Sequence, residues 1–168
     1  MTSQSDQGTS LIETVVATAL LLVVIGGLGS MGVVGMMTTE NQGHLAARTT
    51  EYAQDKMEQL LVLAWGDSVS DTRVFPAAPG GGTGLSIGGN SNPDAAVAGY
   101  ADYLDKSGTL IATADGTAPA GWFYKRVWAV SSPMANLKQI EVTVTVESTL
   151  GRTAPPRSTV TSLKTFPF

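Results

Sequence analysis

Gly8-Thr9-Ser10-Leu11-Ile12-Glu13 opens the longest apolar run in the chain. No Asp, Glu, Lys or Arg occurs from Thr14 through Thr39. A helix needs about 20 apolar residues to cross a bilayer, so this run is long enough. One carboxylate, Glu13, stands at its mouth. A charge held there is costly unless a partner arrives. A cut after Gly8 would create that partner by freeing the amine of Thr9.

The rest of the composition agrees with an anchored domain. The chain has 168 residues, 14 % of them charged, and a formal charge of −4. That length suits one small domain plus a membrane segment. The negative balance argues against a general nucleic-acid footprint. There is no Cys, which excludes disulfides, a thiol nucleophile and zinc-thiolate sites. His44 is the single histidine, near the expected membrane boundary, and no Ser/His/Asp set or His-rich metal site can be argued from it. An ordinary secretory signal fits poorly. Its basic segment is missing, and its apolar core should span only about 7–15 residues. The first basic residue is Arg48, so topology cannot be argued from positive charge.

These residues carry a resemblance. A short polar leader ending in Gly8, a new first residue Thr9, and Glu13 as the fifth residue after the cut resemble the type IV prepilin family. The likeness is strongest over residues 8 to about 65. The remainder looks like the minor pilins and the minor pseudopilins of type II secretion. Major pilins often carry a proline where this chain has Ser30, which favours a minor subunit. The resemblance implies an α+β fold, with a long N-terminal helix packed on a small antiparallel sheet. It implies cleavage between Gly8 and Thr9 by a membrane prepilin peptidase, N-methylation of Thr9, and an assembly salt bridge from Glu13. It implies a bacterial inner-membrane protein with its head outside the cytoplasm, later drawn into a filament. Its partners would be other pilin or pseudopilin subunits, the peptidase, the inner-membrane assembly platform and, before assembly, lipid. It implies a structural role, with no enzyme activity, cofactor or metal. An uncleaved membrane-anchored binding domain is the alternative outside that family.

The domain reading follows the composition. Residues 1–8 are the leader and 9–39 the membrane and assembly half of a helix. Gly26, Gly27, Gly29, Gly32 and Gly35 fall in this half. Each costs about 1 kcal/mol of helix propensity in water, but small residues permit close helix packing in lipid. Residues 40–66 are an amphipathic continuation. Leu45, Thr49, Ala53, Met57, Leu60 and Ala64 form one stripe, with Arg48, Glu51, Asp55, Lys56 and Glu58 mostly off it. Gly66 is the expected stop. One helix from Ser10 to Trp65 would be roughly 84 Å long at 1.5 Å per residue.

Residues 67–99 are rich in Gly and Pro and read as a long connecting loop, either mobile or in contact with neighbouring subunits. Residues 100–168 read as the sheet head. Tyr100–Leu104 and Thr109–Ala114 flank a hairpin turn at Asp105–Gly108. Trp122–Val130 is a second strand region, with Trp122, Tyr124, Arg126, Trp128 and Val130 on one face. That face could stack a sugar or a base, although aromatics so placed usually belong to a core. Leu137–Glu147 is the clearest strand, with Ile140, Val142, Val144 and Val146 buried and the alternate residues wet. Ser158–Phe166 is a last edge strand. Asp102, Asp105 and Gly108 suggest a carboxylate turn for Ca²⁺, but the full EF-hand pattern is absent, and such a turn needs no metal.

Overall fold

A computed structural model of the chain describes residues 11–112, 117–147 and 155–166, except for the side chains of residues 37–41. The protein divides into two compact units, Met1–Gln42 and Gly43–Phe168. Its one long helix, α1, runs from Leu11 to Val62 without a proline and carries Glu13 in its first turn. A carboxylate there faces the positive end of the helix dipole.

Within the first unit, Leu11–Met36 is long and apolar enough to cross a membrane, and none of it is buried. Its hydroxyls turn inward to the helix backbone. Thr14 donates to the Leu11 carbonyl at 2.9 Å, Thr18 to that of Thr14 at 2.7 Å, and Ser30 to that of Gly27 at 2.8 Å. That removes their polarity from an otherwise apolar surface.

The second unit is α+β. A two-stranded ribbon joins β1 (Ser70–Asp71) to β2 (Ala78–Gly81). The main sheet contains β3 (Gly88–Gly89), β4 (Ala101–Leu104), β5 (Leu110–Ile111), β6 (Tyr124–Met134), β7 (Leu137–Val146) and β8 (Arg157–Thr165). Its order is β5-β4-β6-β7-β8, with β3 also paired to β6, and every pairing is antiparallel.

Register follows the apolar pattern. Trp128 pairs with Val142 and Val142 with Val160, which fixes one face against α1. Thr49, Ala53, Met57 and Leu60 of the stripe are buried, as expected, together with Trp128, Ile140, Val142 and Val144. The stripe ends early. α1 stops at Val62, and Ala64 is exposed. Two lysines from the sheet satisfy the terminal carbonyls. Lys164 donates to Leu61 and Leu63, and Lys138 to Trp65 and Leu85.

The structure corrects three readings. First, Lys56 is not off the stripe but 1 % exposed, for reasons given below. Second, Thr143 and Thr145 on the face expected to be wet are buried. Residues 67–99 supply the cover. Asn92 caps a 3₁₀ turn at Pro93–Ala95, which packs on β6 and β7. Lys125 donates to the Pro93 carbonyl at 2.6 Å and Arg157 to that of Ser91 at 3.3 Å. The central strands are therefore covered on both faces. Third, Trp122 does not share the face of Trp128. It precedes β6, and its ring meets Tyr103 edge-on at 5.7 Å. Tyr103 pairs with Lys125, on the face away from α1. The period of two starts only at Tyr124, after a turn in which Gly121 has φ of +78°.

The hairpin turn is where it was expected. Asp105 Oδ1 accepts from the backbone of Ser107 and Thr109 and from the Ser107 hydroxyl. The expected strand Thr109–Ala114 shortens to Leu110–Ile111, and residues 113–116 lie outside the described residues. Gly108 has φ of +86°, and a Cβ there would lie 2.3 Å from the Tyr52 hydroxyl. Only glycine allows this turn to close under α1.

Candidate functional site

Gly8 and Thr9 lie outside the described residues. Glu13 is exposed on the first turn of α1. Around and beyond it the side chains exposed to surroundings are apolar, including Leu11, Ile12, Val16, Leu20, Val24 and Leu28. The glycines of this segment leave room rather than filling a contact. A Cβ added at Gly26, Gly27, Gly29, Gly32 or Gly35 would meet nothing within 4 Å. The first unit thus presents one carboxylate at the head of a bare apolar helix whose second half is notched.

The second unit contains a polar centre that the sequence did not reveal. Asp102 lies in β4, opposite Arg126 of β6. Its Oδ1 accepts from Arg126 Nε at 2.6 Å. Its Oδ2 accepts from Arg126 Nη2 at 2.9 Å and Lys56 Nζ at 2.8 Å. Lys56 also donates to the Thr72 carbonyl and sits 4.2 Å from the centre of the Trp128 ring. Arg126 Nη1 reaches Asp55 at 3.0 Å. Both cations and Asp102 are no more than 3 % exposed. Two buried cations and one buried carboxylate leave an excess positive charge, which the half-exposed Asp55 offsets.

Burial alone would raise the Asp102 pKa, but Lys56 and Arg126 hold it below the ordinary carboxylate value. Burial lowers the Lys56 pKa against the pull of Asp102. Burial also opposes the charge of Arg126, and Asp102 and Asp55 outweigh it, so that pKa is raised. A carboxylate with three donors in a closed core has no lone pair directed at a substrate. The arrangement ties α1 to β4 and β6.

The sequence did carry a signal for this centre. Asp102 interrupts an apolar strand, and Arg126 interrupts an aromatic face. Opposite charges at buried positions of neighbouring strands imply a pair. Two pairings could not be read from spacing. One is that β4 and β6 are neighbours, and the other is that Lys56 points to them.

The remaining candidates separate. Asp102 and Asp105 are not brought together. The first is closed by cations, and the second is satisfied by its own turn. Among the described residues no group of three or more His, Cys, Asp and Glu could hold a metal. Tyr124, Arg126 and Trp128 are buried under α1 and offer no stacking surface. His44 is exposed.

No family model, no curated protein and no solved structure matches this chain.

Proposed function

We propose that this chain is a structural subunit, a minor pilin, of a type IV pilus or a related filament. The observation that carries the reading is GTSLIE opening a run, Thr14 to Thr39, that holds no Asp, Glu, Lys or Arg. In α1 the segment Leu11–Met36 is entirely unburied, and Glu13 is the one carboxylate of that segment. In this reading a peptidase removes residues 1–8 and Thr9 is methylated. Glu13 then pairs with the Thr9 amine of a neighbouring subunit as the helices leave the membrane for the filament. Two unit charges 4 Å apart attract by about 1 kcal/mol in water and about 4 kcal/mol at an effective dielectric of 20. The pair therefore gains strength as lipid-facing helices close around it, and it sets the axial position of each incoming subunit. The open surface at the five glycines gives neighbouring helices room to approach. The α+β unit stays outside the membrane and meets other minor subunits. The same physics serves a minor pseudopilin in type II secretion.

The test is the intact mass and N-terminal sequence of the protein recovered from its native membrane. A chain beginning at Thr9 and heavier by one methyl group supports the reading. A chain beginning at Met1 refutes it and leaves an uncleaved anchored domain. Deleting the gene then separates the two clients, by lost piliation or lost protein secretion.

A further inference from the structure

A groove of about 490 Å³ lies in the second unit, between the last turns of α1 and residues 72–77. Its walls are apolar and include Val62, Leu63, Val74, Phe75 and Pro76. Val62 is 86 % exposed and Phe75 is 68 % exposed, so two large apolar side chains stand in water beside one cavity. Asp55 and Glu58 line its edge, and no Lys or Arg does. Asp55 is already bonded to Arg126, whereas Glu58 has no partner among the described residues. Thr72, also lining the groove, is 4 % exposed and keeps its hydroxyl unpaired. Buried hydroxyls are normally satisfied. Of the cations nearby in sequence, Lys56 is buried against Asp102 and the Thr72 carbonyl, and Arg73 bonds Asp71 and the Gly81 carbonyl.

The geometry points to a docking groove for a partner-protein segment that presents an apolar side chain next to an arginine or lysine. The volume falls in the range of about 300–1,000 Å³ typical of ligand pockets, and apolar walls with a few polar groups are their usual lining. The apolar side chain enters between Val62 and Phe75. The cation meets Glu58, the free carboxylate at the rim. Charge selects this occupant. An acidic segment would meet Glu58 and Asp55 with no cation to receive it. The groove owes nothing to Glu13 or to the proposed filament contacts.

The probe is the capped dipeptide acetyl-Phe-Arg-amide, titrated against the ¹⁵N-labelled full chain in nanodiscs of zwitterionic phosphatidylcholine. The expected result is saturable shifts confined to residues 58–63 and 72–77, weakening as salt rises. Glu58→Gln and Phe75→Ala each reduce affinity, the former about three- to fivefold, the scale of an exposed ion pair. Both side chains are exposed, so neither change threatens the fold. Equal binding of acetyl-Phe-Glu-amide overturns the proposal, as does binding unchanged in Glu58→Gln. Shifts at these residues that depend on protein concentration without peptide would place a second copy in the groove and overturn it too.

Discussion

Replacing Asp102 by Asn removes one charge and changes little volume. The consequence follows from what Asp102 holds. Three charge-assisted hydrogen bonds of 2.6–2.9 Å converge on it from Lys56 and Arg126. An asparagine keeps one acceptor oxygen and turns an amide donor toward a cation. Two buried cations are then left with only the half-exposed Asp55 for compensation. Breaking a buried pair in this way costs about 3–5 kcal/mol. Whole domains are stable by about 5–15 kcal/mol, so this is a large fraction. It corresponds to a fall in Tm on the order of 10 °C. Trp128 lies beside the centre, so its near-ultraviolet circular dichroism during heating of the purified chain is the assay. The triple variant Lys56→Met, Asp102→Leu, Arg126→Leu supplies the contrast. Replacing a whole buried network with apolar residues is often neutral or stabilising. It should recover much of what Asp102→Asn loses. If Asp102→Asn costs less than about 1 kcal/mol, the centre does not tie α1 to the sheet and the reasoning fails.

Three other outcomes are expected. The pKa of Asp102 is lower in the folded chain than its unfolded value of about 3.9. The unfolded state therefore takes up the proton first. The contribution of Asp102 is complete above that value and is lost as pH falls through it toward the folded pKa. Stability measured against pH should decline on this acid limb, and Asp102→Asn should flatten it. Gly89→Ala should destabilise the second unit by about 1–3 kcal/mol in denaturant unfolding. Gly89 has φ of +81°, and a Cβ there would sit 2.2 Å from the Trp128 carbonyl oxygen. Glu13→Ala should leave the thermal unfolding of the second unit unchanged while abolishing incorporation into filaments, scored by immunoblot of sheared filaments. Normal incorporation of that variant would remove Glu13 from the assembly mechanism.

Much of the α+β architecture could be read from period alone. The stripe Thr49-Ala53-Met57-Leu60 and the alternation Ile140-Val142-Val144-Val146 predicted the two surfaces that meet. Two strong local rules suffice for this, the period of 3.6 in helices and of 2 in strands. What escaped was everything that depends on the partner of a residue. Thr143 and Thr145 read as wet because threonine is indifferent to burial in a strand, and nothing nearby announced that residues 90–99 would cover them. The glycines and prolines of 67–99 looked like a connection because they signal turns, and turns also build a close-fitting cover. Lys56 looked solvated because its neutralising carboxylate, Asp102, lies 46 residues further along the chain. Glu13 is the opposite case. The role proposed for it is local, argued from its spacing from Gly8 and from the uncharged run that follows.

The role of β8 has a consequence for biosynthesis. Ser158 bonds the hydroxyls of Thr49 and Thr50 at 2.8 and 2.9 Å, and Lys164 holds the end of α1. Arg157 ties down the Ser91 carbonyl. One late strand thus fastens three segments made long before it, across separations of 66 to 109 residues. A chain growing at about 5–20 residues per second must wait several seconds with its stripe and cover unfastened. The apolar run at Leu11–Met36 is synthesised before any of this. As the membrane segment of the proposed subunit it can therefore enter a bilayer before the head closes, and the order of translation would separate insertion from folding.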